Sequence, residues 1–436
     1  MTNSSKTNMN KPNIVYVISI VSSLVFVNIQ PLTTNLSFLI TVLFVSTMFC
    51  ALIILLNSKF SLKFQRSQLA FWFLIIIFAS SLINTLNLSQ SLKYILFYFI
   101  ALITMSLLTT DTKWFFVFWK LQITFALIHA IITLISYLYT DLYVSLFSPL
   151  LNDFSRNFTL SYLYNFNFHA GIAGQTGTNA FYLSLGHAIV IPNLLDKKRK
   201  SKRIFNIILF LILLWALFLT GKRGLLLANF FAIAILYYIS NRDKMISKIK
   251  KFTRYVLFLL LFAFVIYISY LYVPAVNHLL FRFFDNSLYT LSGDISSGRF
   301  NLYRLAWKTF LSNPIMGVGI DAFIYVPYAG SSRNIGAHND WLQLLAEIGI
   351  LGTVLFTITI LTVFQKTVRL CNNSRTYRKY RPFLYASLYC QSFILIDSLT
   401  GMPFHNYSML LTYMIFISIP YAVQNKLTSQ RVFNSI

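Results

Sequence analysis

A histidine at the end of a long polar segment is the side chain best placed for chemistry in this chain. His338 is followed by Asn339 and then by an apolar stretch that predicts a helix starting near Trp341. An imidazole can exchange a proton near neutral pH, and water reaches a helix mouth at a membrane surface. Because only 11% of the residues are charged, we interpret this group as functional. His338 is the candidate general base.

Basic side chains beside predicted helix starts are the second chemical feature. Arg223, Arg299 and Arg333 each lie near such a start, and Lys222 precedes the first of them. Helix N-termini bind anions, and guanidinium groups bind phosphate through two parallel hydrogen bonds. The predicted outer loops contain no Asp-x-Asp pair of the kind that holds a metal for nucleotide sugars. The pattern predicts a lipid-linked pyrophosphate donor, bound with no metal and no other cofactor.

Further side chains are expected to support this site. Asn339 or Asp340 can cap the following helix and so fix the imidazole just outside it. The single glutamate, Glu347, falls inside a predicted membrane helix, where ionisable residues are rare and usually partnered, and we expect an arginine as its partner. Arg156, in an outer loop, is a candidate for substrate contact. Four other histidines are expected at interfacial or hydrogen-bonded positions: His169, His187, His278 and His405.

Composition identifies the chain as an all-α polytopic membrane protein. Hydrophobic residues make up 57% of the 436, and mean hydropathy is +0.67. Apolar runs long enough to cross a bilayer must form helices, because lipid offers the backbone no hydrogen bonds. About twelve such runs are predicted, near 13–29, 36–56, 69–86, 91–109, 114–139, 178–195, 204–220, 223–239, 255–273, 341–365, 383–400 and 405–424.

The net charge of +25 is distributed as a membrane topology signal. With a cytoplasmic N-terminus, the predicted inner segments hold 26 of the 36 Lys and Arg residues. This asymmetry predicts that both termini are cytoplasmic. No basic domain stands apart from the apolar runs, so nucleic-acid binding is not expected. Cys50 and Cys390 fall within predicted spans and Cys371 in a predicted cytoplasmic loop, so no outer disulfide is expected.

One membrane domain, residues 1–436, is predicted to carry two long outer loops, 140–177 and 274–340. Loops of this length are usually functional. Within the second loop a helix is predicted from about Arg299 to Asn313-Pro314. Aromatic side chains share one of its faces and polar side chains the other, which favours a position at the membrane interface. The aromatic set is Phe300, Tyr303, Trp307 and Phe310.

Four short motifs follow one another between residues 220 and 352. Together they resemble the O-antigen ligase and polymerase family of bacterial envelope glycosyltransferases. They are Arg223-Gly224, then Ser297-Gly298-Arg299 followed by Trp307, then Pro314 to Gly319, and finally His338-Asn339 followed by Glu347-Ile348-Gly349.

The resemblance implies a GT-C-like membrane fold and an undecaprenyl-pyrophosphate-linked glycan donor. It implies metal-independent, inverting transfer to a glycan or lipid-linked acceptor at the outer face of the bacterial cytoplasmic (inner) membrane. Membrane lipid, a chain-length regulator and a flippase are the implied partners. A polymerase of repeat units is the preferred interpretation, a ligase that moves a finished glycan to a terminal acceptor is the alternative, and a glycan-lipid transporter is the more remote one.

Overall fold

The computed structural model describes residues 14–56, 65–195, 203–240, 267–268, 271, 299–328, 335–373 and 379–434. Regular structure in these ranges is helical throughout, which confirms the predicted all-α class. The longer helices there are α1 (Ile14–Ile29), α2 (Leu36–Leu56), α3 (Arg66–Ser80), α4 (Leu88–Leu108), α5 (Phe115–Leu138), α6 (Asp153–Phe166), α7 (Thr176–Leu195), α8 (Arg203–Leu219), α9 (Arg223–Ser240), α10 (Arg299–Ser312), α11 (Asp340–Asn372), α12 (Arg381–Asp397) and α13 (Tyr407–Asn434).

Eight of these helices are long and apolar enough to cross a membrane: α1 to α5, α9, α11 and α13. The chain is therefore an integral membrane protein. Helices α7, α8 and α12 coincide with three further predicted spans. Helices α8 and α12, with 17 residues each, are too short to be counted with the eight, and α7 is long enough but not apolar enough. Apart from residues 267–268 and 271, the predicted span 255–273 falls outside the described residues. The predicted total of twelve spans is thus matched only in part.

Helices α13, α4, α7 and α12 form the interior of the bundle. In α13, 89% of the apolar window is buried, whereas α2 lies at the periphery with 22% buried. Apolar side chains gain nothing by leaving lipid for protein, so polar contacts between helices contribute to specificity. Ser387 of α12 donates to the carbonyl of Phe416 in α13 at 2.7 Å. Gln391 of α12 donates to Thr367 of α11 at 2.8 Å.

Two predicted features differ in detail from the structure. Cys371 is buried within α11, because this helix continues to Asn372 instead of ending near residue 365; its assignment to a loop was wrong. The loop 140–177 contains helix α6, which the sequence interpretation had not assigned. Asn152 caps α6 by accepting from the amide of Ser155 at 2.9 Å.

The predicted helix in the second outer loop is confirmed as α10. Leu302, Ala306 and Thr309 are its buried positions, and it packs against α11. On the other side Phe300 and Trp307 are 62% and 47% exposed. The aromatic side chains thus remain available to a lipid interface, while a narrow stripe of smaller side chains fixes α10 to the bundle.

Candidate active site

A break in α11 determines how the end of the bundle near His338 is built. At Gly349 the backbone leaves the helical region (φ 66°, ψ −171°), which frees main-chain groups on both sides. The amides of Val318 and Gly319 donate to the carbonyls of Ala346 and Glu347 at 2.9 and 3.0 Å. Buried backbone groups must be paired, so the turn that follows α10 supplies the partners that the helix itself has lost.

Glycine is required where the turn meets the break. A Cβ on Gly349 would lie 2.1 Å from the carbonyl oxygen of Ile315, and one on Gly317 would lie 2.2 Å from the carbonyl carbon of Glu347. Both residues also have φ near +70°, which L side chains rarely adopt. The Pro-x-x-Gly-x-Gly and Glu-x-Gly motifs are therefore two halves of one contact.

The carboxylate of Glu347 is the centre of a buried polar network. It accepts from the amides of Asp321 and Phe323 at 2.8 and 3.2 Å, and from the side chain of Gln343 at 2.9 Å. Its ionic partner is Nε2 of His405, at 2.8 Å. The expected partner was an arginine, and this expectation was wrong. A loop between α12 and α13 supplies the positive charge instead.

His405 bridges two carboxylates. Its Nδ1 lies 2.5 Å from Oδ1 of Asp340, opposite the Glu347 contact. Burial disfavours the imidazolium, but the charges and hydrogen bonds of Glu347 and Asp340 outweigh this and raise the pKa of His405 well above its ordinary value. The ring is therefore protonated at neutral pH and donates from both nitrogens. It ties the start of α11, at Asp340, to Glu347, two residues before the break at Gly349.

Asp321 adds a third acid at the edge of this network. It receives a hydrogen bond from Gln90 of α4 at 2.7 Å and lies 3.5 Å from the hydroxyl of Tyr407. Burial and then the charge of Glu347 raise the pKa of Asp321 to about 7, although His405 opposes the shift. Helices α4, α11 and α13 are thereby joined through one polar contact region.

His338 lies at the partly exposed outer edge of this network. Its backbone has φ 53°, and the next residue, Asn339, accepts from the amide of Leu342 at 3.0 Å, so Asn339 is the N-cap of α11 as expected. Burial, followed by the positive charges of Arg299 and Lys222, lowers the pKa of His338 below 6.5. The imidazole is therefore neutral at pH 7 and can accept a proton.

The short loop between α12 and α13 assembles the basic side chains around His338. The guanidinium of Arg299 donates to the carbonyl of Thr400 at 3.1 Å, and Asn339 donates to that of Leu399 at 3.0 Å. A Cβ on Gly224, in the first turn of α9, would lie 3.1 Å from the Thr400 hydroxyl. Arg223, the first residue of α9, therefore belongs to the same end of the bundle.

Lys222 approaches the same region from the turn that precedes α9. Its ammonium lies 5.3 Å from the ring centroid of Tyr162 in α6, and its side chain passes the start of α7 at Gly177. Residues of the segment 140–177 thus lie beside the basic side chains. One end of the bundle thus brings together His338, Arg299, Lys222 and Arg223. Up to 116 residues separate them in sequence.

The described part of the structure does not place two of the predicted site residues in this assembly. Arg333 lies outside the described residues. Arg156 is exposed on α6, and no contact joins it to the other site residues within the described ranges. In the same ranges no group of three or more His, Cys, Asp or Glu side chains could hold a metal ion.

The sequence interpretation missed the role of His405. It treated this residue as one of several hydrogen-bonded or interfacial histidines, which is correct but incomplete. A usable signal was present: Asp340, Glu347 and His405 are all ionisable and all lie in or beside apolar stretches, where charges are stable only when paired. Sequence spacing alone could not pair residues that are 58 and 65 positions apart.

Comparison with known families gives one match. Residues 208–357 match the family model described as O-Antigen ligase. These residues are similar to that family. This confirms the resemblance inferred from the four motifs, all of which lie within the matched residues. No curated protein matches the chain.

The family domain contains Arg223, Arg299, His338 and Glu347, whereas His405 lies beyond its end. The matched residues thus run from within α8 to the middle of α11, and the ionic partner of Glu347 comes from the loop between α12 and α13, beyond their end. The family comprises ligases and polymerases of the glycosyltransferase type, which act on lipid-linked glycans in a membrane.

Proposed function

We propose that the protein transfers a glycan from an undecaprenyl-pyrophosphate carrier to a hydroxyl of an acceptor, with inversion and without a metal. The neutral imidazole of His338 beside the cations Arg299 and Lys222 is the observation that carries the proposal. A general base must be unprotonated at the working pH, and a departing pyrophosphate needs fixed positive charge. One site offers both.

In the proposed step, an acceptor sugar hydroxyl attacks the anomeric carbon of the donor. A new C–O bond forms as the bond from that carbon to the pyrophosphate oxygen breaks, and the electron pair leaves with the pyrophosphate. His338 takes the hydroxyl proton. Arg299, Arg223, Lys222 and Arg333 stabilise the charge that develops on the leaving group.

The proposed orientation places this chemistry at the outer face of the cytoplasmic membrane, with both termini cytoplasmic. The distribution of Lys and Arg supports it, since 26 of 36 fall in segments that would then face the cytoplasm. In this view residues 1–436 form one GT-C-like polytopic domain. The segments 140–177 and 320–336 are the proposed determinants of glycan specificity, because they belong to the two long predicted outer loops.

Polymerisation of lipid-linked repeat units for a surface polysaccharide is the preferred form of the reaction. A ligase that transfers the finished glycan to a terminal acceptor such as lipid A-core is the second candidate, favoured by the description of the matching family. Both reactions use the same donor chemistry. A flippase that delivers the donor and a regulator of chain length are the proposed protein partners.

Envelope polysaccharide from cells that lack the protein, complemented with wild type or with His338→Ala, separates these possibilities on a gel. Loss of the ladder with accumulation of one lipid-linked unit supports a polymerase that depends on the imidazole. Long chains that remain on carrier lipid and are missing from their acceptor support a ligase. A normal ladder with His338→Ala contradicts the assignment of His338.

Arg304→Ala is the matched control for Arg299→Ala, because both arginines lie on α10 but Arg304 is exposed. Only the Arg299 variant should weaken transfer. Purified protein that joins two lipid-linked units in detergent, where no compartments exist, would exclude a pure transporter. Failure of the purified protein to do so in the presence of a competent donor and acceptor would favour the transporter alternative.

A further inference from the structure

A second concentration of polar side chains lies at the opposite end of the bundle, between α3, α11 and α13. It lines a cavity of about 660 Å³ that opens at the protein surface. Lys366 of α11 is its cation. The other lining residues are mostly small or neutral and polar: Gln65, Ser67, Ala70, Thr362, Gln424, Asn425 and Thr428.

The position of Lys366 along α11 places the cavity at the other membrane boundary. Seventeen residues of α11 separate it from the break at Gly349, which is about 25 Å of helix at 1.5 Å per residue. This length is close to the roughly 30 Å thickness of a bilayer hydrocarbon core. Helix α3 runs beside α11 with its first residue, Arg66, at this end. The cavity thus lies at headgroup depth, far from His338.

The ammonium of Lys366 is held in place but is not neutralised. It donates to the side-chain oxygen of Gln65 and lies 4.2 Å from the ring centroid of Tyr421. Both partners are uncharged, and within the described residues no carboxylate pairs with it. Asp111, which lies near this end of the bundle, pairs with Lys113 at 3.6 Å. The Lys366 charge therefore remains open to an anion.

Neutral donors surround this charge. Ser67 accepts from Tyr421 at 3.0 Å, which leaves its own hydroxyl proton free to be donated. The side-chain amide of Gln424 makes no hydrogen bond within the described residues, and it lines the same cavity. Asn425 is held by Gln65 at 2.6 Å and in turn donates to the carbonyl of Thr109 at 3.1 Å. The arrangement combines one cation with neighbouring hydrogen-bond donors, as phosphate recognition requires.

The surrounding sequence is also basic. Lys59, Lys63 and Arg66 precede or begin α3, and Lys426 follows the two amide residues of α13. Basic pockets between membrane helices bind anionic headgroups, because the membrane surface concentrates these lipids beside them. A cavity that opens at the protein surface at headgroup depth is beside a high local concentration of lipid headgroups.

We propose that the cavity between α3, α11 and α13 binds the phosphate of an anionic phospholipid, with Lys366 as the cation and Ser67 and Gln424 as donors. The lipid would join three helices at the end of the bundle opposite His338. This site is separate from the proposed transfer chemistry and does not depend on it.

The test measures the thermal unfolding midpoint of the purified full-length protein in a neutral detergent. Phosphatidylglycerol, phosphatidylcholine and inorganic phosphate are titrated separately. Phosphatidylglycerol should raise the midpoint of the wild type in a saturable way, whereas phosphatidylcholine and inorganic phosphate should not. Equal stabilisation by phosphatidylcholine would overturn the site, and equal stabilisation by inorganic phosphate would overturn the assignment to a lipid.

Lys366→Gln should raise the half-saturating phosphatidylglycerol concentration by about tenfold, as expected for loss of a charge-assisted contact. Lys120→Gln is the matched control, since Lys120 is exposed on α5 and lines no part of the cavity. If Lys366→Gln does not fold, Gln424→Leu provides a second test that keeps the cation. A response identical to that of Lys120→Gln in every cavity variant that folds would refute the proposal.

Discussion

Removal of the Glu347 charge should destabilise the outer end of the bundle more than any single change at the protein surface. Glu347 accepts four hydrogen bonds at 2.8 to 3.2 Å and is fully buried. Loss of one partner from a buried ion pair costs about 3–5 kcal/mol, because the other charge remains without compensation. Glu347→Ala should reach the upper part of this range, since two amides of the 321–323 turn also lose their acceptor.

Glu347→Gln separates the charge from the hydrogen bonds. Its amide oxygen can still accept from the turn, but each such bond falls from about 1.5–3 kcal/mol with a charged acceptor to about 0.5–1.5 with a neutral one. Its NH₂ group would also face the protonated ring of His405. We expect a loss of about 3 kcal/mol.

The free energy of unfolding can be followed by circular dichroism during titration of mixed micelles with a denaturing detergent. Thr357→Ala, lower in α11, is the control and should stay within about 0.5 kcal/mol of wild type. A Glu347→Gln variant as stable as this control would refute the view that a buried ion pair closes the helix break. The combined change Glu347→Gln with His405→Gln should cost less than the sum of the two single changes, because each removes the same pair.

Three further results are expected. Gly349→Ala should lower stability by several kcal/mol in the same titration, because its Cβ would lie 2.1 Å from a carbonyl oxygen, whereas Gly177→Ala meets nothing closer than 3.8 Å and should be mild. Transfer activity should fall as pH drops through the lowered pKa of His338; Arg299→Gln removes a repelling charge, so this acid limb should move to higher pH in a pH–rate profile, and an unmoved limb would contradict the electrostatic argument. Asn339→Ala should cost about 1 kcal/mol of stability through loss of the helix cap, and a stability unchanged from wild type would show that the cap contributes nothing.

Much of the bundle could be predicted from the sequence because its signals are local. An apolar run long enough to cross a bilayer must be helical, whatever its neighbours are. Eleven of the twelve predicted spans coincide with helices, and α10 begins and ends where its pattern indicated. Helix ends were less predictable: α11 continues past Lys366, because this residue finds polar partners at the edge of the membrane.

The candidate site was predicted only in part, because its residues come together through packing. The motifs identified His338, the arginines and Glu347, and a short-range signal identified Asn339 as a cap. The motifs could not reveal that Glu347 is paired with His405. They also could not reveal that Arg299 donates a hydrogen bond to the carbonyl of Thr400.

The sequence by itself determined that this chain is a helical membrane protein and that residues 208–357 are similar to the O-antigen ligase family, since apolar runs and short motifs are read within one stretch of chain. The tertiary structure decided which charges face one another. In an apolar medium the charge of an ionisable side chain is stable only when a partner lies beside it, and here that partner comes from a distant part of the chain. The pairing of Asp340 and Glu347 with His405 therefore depends on how α11, α12 and α13 pack, and on no local pattern.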